Sequence, residues 1–356
     1  MLNNVKMLNK NGFFYSNRST RMLRIKPILK GILKRILLIL SGLKKKILKI
    51  LPARFIKNIK TYRAKRYEQR IFSEKRLGNL RCEILKYYST LPQYKMSIEL
   101  STAVDFLKHK PVTYFPCNLT RKYGPEMIHL TLDQETKLNF ALINGKRMFF
   151  KRGWTESKCI EYCYSILEEQ DENSPHRYLS ESFTVQTDDI VVDVGAAEGI
   201  FSLDVIERAS KIYLFEVDSG WTEALEATFA PWKEKVEIVN KYLSDYDYED
   251  HKSITLDSFF QNKKRPDFIK VDVDGAEAKV IKGCSQLLSA QEHLKIALCT
   301  YHKLEDESVF SGLLRENGFN ISFSKCFFLF INDELSPPYF RRGVLRAMKY
   351  APKMSR

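Results

Sequence analysis

One stretch of the sequence, residues 188–218, limits what this chain can fold into. Asp189 to Val194 is a short apolar run rich in β-branched residues, which predicts a strand buried on both faces. The small residues Gly195 to Gly199 interrupt it, and the next ten residues carry apolar side chains at helical spacing. A second apolar run, Ile212 to Phe215, ends on Glu216. Strand, tight turn, helix, strand and acid are the layout of a nucleotide-cofactor site in an open parallel sheet.

The turn itself favours one cofactor over another. The dinucleotide pattern G-x-G-x-x-G is absent, because Ala197 takes the place of its second glycine. The run Asp193-x-Gly195-x-Ala197-x-Gly199 fits the D-x-G-x-G-x-G pattern of S-adenosylmethionine sites, with one glycine replaced by alanine. We expect Glu216 to accept hydrogen bonds from the ribose hydroxyls. A tight turn that binds no ligand is the alternative. The residues predicted to bind the cofactor here are Asp193, Gly195, Ala196, Ala197, Glu198, Gly199 and Glu216.

The positive charge of the chain is concentrated at one end. The 356 residues carry a formal net charge of +15. Residues 1–66 hold 19 lysines and arginines and no acid, so the remainder has a formal charge of −4. The basic character therefore belongs to an appended arm, which argues against a whole protein built to bind nucleic acid.

The arm contains an amphipathic helix candidate between Pro27 and Pro52. Its isoleucines and leucines form one stripe with lysines and arginines around it. The longest uncharged run, Ile36 to Leu43, has 8 residues, whereas a spanning helix needs about 20. Lysines follow that run where a signal peptide would have a cleavage site. Residues 22–66 therefore predict contact with an anionic membrane surface; a solvated tail or a helix docked on a partner protein are the alternatives.

The cysteine pattern bears on the compartment. Seven cysteines are scattered without a C-x-x-C pair, and no histidine joins Cys159 and Cys163 at metal-ligand spacing. This pattern is typical of reduced core thiols. We expect a cytoplasmic protein, peripheral at the inner face of the membrane if the arm binds lipid.

The rest of the chain divides into four predicted regions. Residues 1–66 are the basic amphipathic arm, and residues 67–154 form an accessory helix and a small β-rich region with a hairpin at Asn144-Gly145. Residues 155–332 alternate strands with helices and close with a hairpin of Phe319 to Phe323 and Phe327 to Ile331. Residues 333–356 are predicted to be a basic tail after the last strand. Its Ser336-Pro-Pro-Tyr resembles the motif of amino-methylating enzymes. That motif must follow the fourth strand, whereas here it follows the last predicted strand.

This alternation predicts an α/β fold with a doubly wound, mostly parallel, seven-stranded sheet of Rossmann-like type. A parallel sheet that ends in a two-strand hairpin is the order of class I methyltransferases. Six segments, in order, resemble the FkbM-type methyltransferase family over roughly residues 155–332. They are DVGAAEGIFSL (193–203), LFEVD (214–218), VNKYLSD (239–245), TLDSF (255–259), DFIKVDVDGAEAKVIKGC (267–284) and CTYHK (299–303).

The resemblance implies S-adenosylmethionine as cofactor and methyl transfer, usually to a hydroxyl oxygen. Family members often act on sugars or on polyketide-type products. Where many members read Ala-Asn-Ile, this chain reads Ala196-Ala197-Glu198. We expect Val217 and the segment with Ser244 and Asp245 to flank the adenine, although the latter two could equally be turn residues.

Methyl transfer to a sugar hydroxyl benefits from a general base. His302, just past the fifth strand of the core, is the first candidate, because such sheets place ligands at this edge and a pKa near 6.5 suits the task. A structural loop histidine is the alternative. Asp272, at the turn after the fourth strand, is predicted to face the cofactor or acceptor. Asp274 and Glu277 follow it; they are predicted to cap a helix, with a divalent metal as the less favoured alternative. His176 is interpreted as a turn residue, with a position facing the ligands as the alternative.

The function predicted from these residues is O-methylation of a sugar hydroxyl in a surface glycan or a lipid-linked precursor. One rival is a nucleic-acid methyltransferase that grips phosphates with the basic arm, although nucleic acid is the less favoured partner. Another is a non-catalytic binding protein at the membrane surface. A nicotinamide oxidoreductase is disfavoured by Ala197.

Overall fold

The computed structural model describes residues 73–119, 123–248, 253–331 and 335–350. The chain divides into two compact units, Met1–Glu83 and Ile84–Arg356. Residues 73–83 of the first unit are described, and they are helical. The predicted basic arm, with its proposed membrane-facing segment 22–66, lies outside the described residues. Within the described ranges, no helix combines the length and the apolar character needed to cross a membrane.

The second unit begins with a small region in front of the large sheet. Helix α1, Ile98–His109, starts where the Ser97 side chain accepts a hydrogen bond from the Leu100 amide. Three antiparallel strands follow: β1 (Leu130–Leu132), β2 (Asn139–Ile143) and β3 (Lys146–Phe149). Asn144 and Gly145 both have positive φ between β2 and β3, which confirms the predicted hairpin. Residues 112–115, Val-Thr-Tyr-Phe, cluster like the residues of a strand but form none.

The core of the second unit is one seven-stranded sheet in the order β11-β12-β10-β9-β4-β5-β6. Its strands are β4 (Ile190–Val194), β5 (Lys211–Phe215), β6 (Val236–Val239), β9 (Phe268–Val271), β10 (Leu294–Cys299), β11 (Asn320–Phe323) and β12 (Val344–Lys349). Strand β12 is antiparallel to both its neighbours, while the β4, β5, β6, β9 and β10 pairings are parallel. This order confirms the predicted class I methyltransferase fold.

Helices cover both faces of the sheet. They are α2 (Glu156–Glu169), α3 (Ile200–Val205), α4 (Ser219–Phe229), α5 (Leu256–Phe259), α6 (Glu277–Lys282), α7 (Ser285–Ala290) and α8 (Asp306–Glu316), with a short parallel pair, β7 (Tyr242–Leu243) and β8 (Ser253–Ile254). Strand β4 shows why the sheet is buried on both faces. Val191 joins the hydrophobic cluster on one side, and Val192 joins the cluster on the other. The order reverses between β4 and β9, so the crevice outside their carboxyl ends is the expected ligand site.

Between Gly275 and Ala290 the chain forms two short helices, α6 and α7, rather than one continuous helix. The break falls at Gly283, whose chain passes directly over the carbonyl oxygen of Ser244. A Cβ at this position would clash with that oxygen, so only glycine allows the approach.

The strand that closes the sheet differs from the sequence prediction. The partner of β11 is β12 and not residues 327–331, so the predicted tail at 333–356 contains a strand of the core. Phe328 forms only an isolated bridge with Arg341. Arg346 made this segment look like a solvated tail, but its guanidinium is buried and donates to the carbonyl oxygens of residues 177–179. The Ser336-Pro-Pro-Tyr segment accordingly precedes the last strand.

Candidate active site

The turn after β4 has the left-handed backbone that its small residues allow. Gly195, Ala197 and Gly199 have φ values of 75°, 48° and 81°. A Cβ on Gly195 would clash with the carbonyl oxygen of Asp272, and one on Gly199 would lie 2.8 Å from the Phe229 ring. Both positions therefore require glycine, whereas position 197 tolerates an alanine at some cost in strain.

Glu216 holds the turn against the end of β5. Its Oε2 accepts a hydrogen bond from the Ala197 amide at 2.9 Å, and its Oε1 accepts one from the Asp218 amide at 2.6 Å. Each carboxylate oxygen has two lone pairs, so one acceptor position remains on each. This carboxylate fits the predicted role of accepting both ribose hydroxyls. Val217, the next residue, is half-buried at the same edge of the sheet.

Asp193 lies beneath the turn rather than in the crevice. It is fully buried; its Oδ1 lies 3.0 Å from the Lys270 ammonium, and its Oδ2 accepts a hydrogen bond from Ser202. Lys270 also donates to the carbonyl oxygen of Gly195 at 2.7 Å. Burial alone would lower the pKa of Lys270, but the charges of Asp193 and Asp272 raise it. Asp193 thus acts on the turn of Gly195 to Gly199 through Lys270 and Ser202.

Helix α2 lies close to the turn at one point and to the end of β9 at another. The Tyr162 hydroxyl donates to Glu198, the acid within the turn, and burial raises the pKa of that acid. At the end of α2, a Glu169 oxygen lies 3.7 Å from Nδ1 of His176, and burial raises the pKa of Glu169 to about 7. Ala196 is buried beside Glu198. The side chains of α2 therefore connect the predicted cofactor turn with the predicted acceptor end of the sheet.

Asp272 is the centre of a buried polar network at the end of β9. Its oxygens accept hydrogen bonds from the hydroxyls of Tyr178 at 2.8 Å and Tyr301 at 3.2 Å. Nε2 of His176 lies 3.3 Å from Asp272 and 3.0 Å from the Tyr301 hydroxyl. Although burial opposes ionisation, His176 and Lys270 hold the pKa of Asp272 well below its usual range. His176 lies in a turn after α2, as the preferred interpretation predicts, and its buried ring also contacts the predicted site residue Asp272.

His302 follows β10 and lies beside the same network. Its Nδ1 is 3.0 Å from Oε1 of Glu277, and its Nε2 is 3.8 Å from the exposed carboxylate of Asp274. Glu277 is fixed by the amides of Val273 and Gly275, which donate to the same oxygen. Burial alone would lower the pKa of His302, but Glu277 raises it. The residue as a whole is 9 % exposed.

The predicted adenine segment lies at the β7–β8 pair. Ser244 is buried, and its amide donates to the carbonyl oxygen of Ile254. Asp245 accepts from the exposed ammonium of Lys282 at 3.1 Å. These contacts leave the adenine role of Ser244 and Asp245 a prediction.

Two groups of side chains in the described part of the chain could hold a metal ion. One is His176, Asp272 and Cys299, and the other is Asp272, Glu277 and His302; the ligand atoms of each lie within 4.8 Å of one another. Both groups depend on Asp272, whose two oxygens already accept from tyrosine hydroxyls. The metal alternative therefore competes with an existing hydrogen-bond network.

Several site residues were not predicted from the sequence. Lys270 carried a signal, because a lysine inside the apolar run of β9 needs a buried partner. Tyr301 lies next to a predicted base, but nothing local shows that its hydroxyl bonds Asp272. Tyr178 and Glu169 are brought to the site by the path of the chain before β4, which the sequence pattern does not reveal.

The strand order and the acid-bearing turn define the class I methyltransferase fold, and comparison with a family model gives the family. Residues 169–321 match the methyltransferase FkbM domain. The chain therefore contains an FkbM-type methyltransferase domain, and the resemblance found in the sequence is confirmed. No curated protein matches the chain.

Three solved structures are similar to part of the chain. A methyltransferase FkbM from Methylobacillus flagellatus KT is 15 % identical, over 54 % of this chain and 55 % of that one, with a TM-score of 0.38. A precorrin-6y C5,15-methyltransferase from Geobacter metallireducens GS-15 is 12 % identical, over 47 % and 82 %, with a TM-score of 0.33. A Streptococcus mutans protein solved in complex with SAH is 12 % identical, over 46 % and 90 %, with a TM-score of 0.31. This chain thus spans about half of the first structure, and at these values none of the three bears on the reaction.

Proposed function

We propose that this protein is an S-adenosylmethionine-dependent methyltransferase that moves a methyl group to a hydroxyl oxygen. The observation that carries the proposal is the position of Glu216. Its carboxylate is fixed at the end of β5 by the Ala197 and Asp218 amides and keeps an acceptor position on each oxygen. A rigid pair of acceptors beside a small-residue turn suits a ribose, and the matched family supplies the cofactor class.

When bound, S-adenosylmethionine supplies the methyl group and its own leaving group. The chain has to orient the acceptor hydroxyl and remove its proton. Nε2 of His302 is the atom proposed to take that proton, while Glu277 beside Nδ1 orients the ring and stabilises its charged form. Asp272 holds the hydroxyls of Tyr178 and Tyr301 beside this histidine. Its predicted catalytic role is therefore proposed to be that of a positioning residue.

A sugar hydroxyl, in a surface glycan or a lipid-linked precursor, is the proposed acceptor. Such a hydroxyl is a weak acid, so its deprotonation benefits from a base whose protonated form is stabilised by a neighbouring charge. The His302–Glu277 pair supports this choice over an acceptor that is already anionic. The many sugar-modifying members of the family are consistent with it.

Binding of the cofactor is the first test. Calorimetric titration of S-adenosylmethionine into the full chain is compared with Glu216→Ala and with Glu237→Ala, a matched loss of charge on β6. We expect the Glu216 variant to lose about tenfold or more in affinity, because a hydrogen bond to a charged group contributes about 1.5–3 kcal/mol. The Glu237 variant should bind normally. A folded wild type that fails to bind S-adenosylmethionine would remove the proposal; binding justifies a screen of sugar acceptors by tritiated methyl transfer.

The basic arm motivates a proposal of its own. Each lysine or arginine near an anionic membrane contributes about 1 kcal/mol to binding, and residues 1–66 carry 19 of them. We propose that residues 22–66 hold the enzyme at such a surface. In flotation with phosphatidylserine-containing liposomes, the full chain should rise with the vesicles. A chain lacking residues 1–60 should stay in the bottom fraction. Equal flotation of the two would contradict the proposal.

A further inference from the structure

Two lysine side chains lie against the indole rings of two tryptophans near the first turn of α2. The ammonium of Lys158 is 3.9 Å from the ring centre of Trp154. The ammonium of Lys151 is 4.4 Å from the ring centre of Trp221 and 5.8 Å from that of Trp154. The two indoles are in edge contact, with ring centres 5.3 Å apart. The rings therefore hold both ammonium groups in one small area.

The charges of this cluster do not balance. Lys151 pairs with Asp218 at 2.7 Å. Across the described ranges, no carboxylate forms an ion pair with Lys158. Burial and the neighbouring Lys151 both lower the pKa of Lys158, so the positive charge of Lys151 acts on this ammonium. An anion placed between the two lysines would supply a compensating charge.

The cluster and the Glu169–His176 contact lie at opposite ends of α2. Lys158 is in the first turn of α2, Tyr162 one turn further contacts Glu198 of the cofactor turn, and Glu169 at the far end contacts His176. At a rise of 1.5 Å per residue, Lys158 and Glu169 are about 16 Å apart along the helix. A phosphate bound at the cluster would therefore belong to a part of the acceptor remote from the reacting hydroxyl.

We propose that Lys151 and Lys158 form a phosphate subsite, which binds a phosphate group carried by the acceptor while its hydroxyl lies at His302. This inference rests on the proposed function for the identity of the acceptor, but the anion site itself does not. Lysine binds phosphate as a point charge and needs no bidentate geometry. The next cation along the chain, Arg152, is neutralised by Glu223. The positive charge is therefore confined to two lysines. Two lysines can bind one phosphate or diphosphate group, whereas a nucleic acid needs an extended series of positive charges along its backbone.

Inorganic pyrophosphate is the probe, titrated by calorimetry into the full chain at low salt. Lys158→Met keeps the length of the side chain and its packing on Trp154 but removes the charge. We expect its affinity for pyrophosphate to fall about tenfold. Lys158→Arg should restore binding, and Lys146→Met, the same change on β3, should leave it intact. Equal binding by wild type and Lys158→Met, or no binding by the wild type, would overturn the subsite.

Titration of S-adenosylmethionine separates this inference from the proposed function. We expect Lys158→Met and wild type to bind the cofactor equally. A parallel loss of cofactor affinity would assign Lys158 to the cofactor and overturn the acceptor subsite. Cofactor binding without pyrophosphate binding would overturn the subsite alone, whereas pyrophosphate binding without cofactor binding would overturn the proposed function and leave the anion site in place.

Discussion

Nδ1 of His302 lies 3.0 Å from Oε1 of Glu277, and that oxygen also accepts hydrogen bonds from the amides of Val273 and Gly275. The turn after β9 thus fixes the carboxylate, and the carboxylate orients the ring. A proton on Nδ1 would face Glu277, which makes Nε2 the nitrogen that can accept the acceptor's proton. The two halves of this pair follow the ends of β9 and β10, Val271 and Cys299, which are 28 residues apart in the sequence.

We expect His302→Gln to lose activity by about 10²–10⁴-fold, because general-base catalysis contributes an amount of this order. Glutamine keeps a polar side chain of similar size, so the fold and the affinity for S-adenosylmethionine should be retained. Methyl transfer and calorimetric cofactor binding are measured on the same preparations. His293→Gln, at an exposed histidine, is the matched control and should behave as the wild type. Unchanged turnover in the His302 variant would exclude it as the base.

The pH dependence of turnover should depend on Glu277. Glu277 raises the pKa of His302, and a general base acts only when it is deprotonated. The rate should therefore increase as the pH rises through that raised pKa, with a midpoint above the usual value of about 6.5. In Glu277→Gln the charge is lost, and the midpoint should move towards acid. A pH–rate profile of both proteins measures this; coincident midpoints would contradict the role of Glu277.

The cofactor half of the site could be predicted from the sequence because its parts are local. Asp193 to Glu216 form one strand–turn–helix–strand unit, so chain order and spatial order agree. The network around Asp272 could not be predicted in the same way, because Tyr178 reaches it from 94 residues away, while His176 bonds Tyr301 across 125 residues. The closing strand was missed for a different reason. Arg346 suggested a solvated tail, and only the three carbonyl oxygens around it explain how a buried strand can hold that charge.

Asp272→Asn should destabilise the protein in a pH-dependent manner. Breaking a buried charged pair costs about 3 kcal/mol in the free energy of unfolding. Burial alone would lower the pKa of His176, but Asp272 and Glu169 raise it in the folded state. The stabilisation from protonated His176 is therefore fully present below the unfolded pKa of about 6.5 and is lost as the pH rises through the folded pKa.

Urea unfolding of the wild type and Asp272→Asn at pH 6 and pH 9 measures this effect. We expect the difference in unfolding free energy to be larger at pH 6. Asp204→Asn, which removes the partner of Arg177 in a partly exposed pair 3.6 Å apart, should cost less than about 1 kcal/mol at either pH. An equal loss for Asp272→Asn at both values would show that the His176 charge does not contribute.

The Asp193–Lys270 pair should show strong energetic coupling, because both groups are buried beneath the cofactor turn. Lys270→Met leaves the Asp193 carboxylate with Ser202 as its remaining side-chain donor, and Asp193→Asn leaves the ammonium without its nearest charge. Each single variant should lose about 3–5 kcal/mol in unfolding free energy. The double variant removes both charges and should lose about 2 kcal/mol less than the sum of the two.

Chemical unfolding of the four proteins gives this coupling energy directly. The half-exposed pair Lys263–Glu237, 3.3 Å apart, provides the matched cycle and should couple by less than about 1 kcal/mol. Since Lys270 also donates to the Gly195 carbonyl oxygen, the single Lys270 variant should bind S-adenosylmethionine more weakly as well as unfold more easily. Simple additivity in the buried cycle would mean that the two charges are each stabilised by other groups, and that the turn does not depend on their pairing.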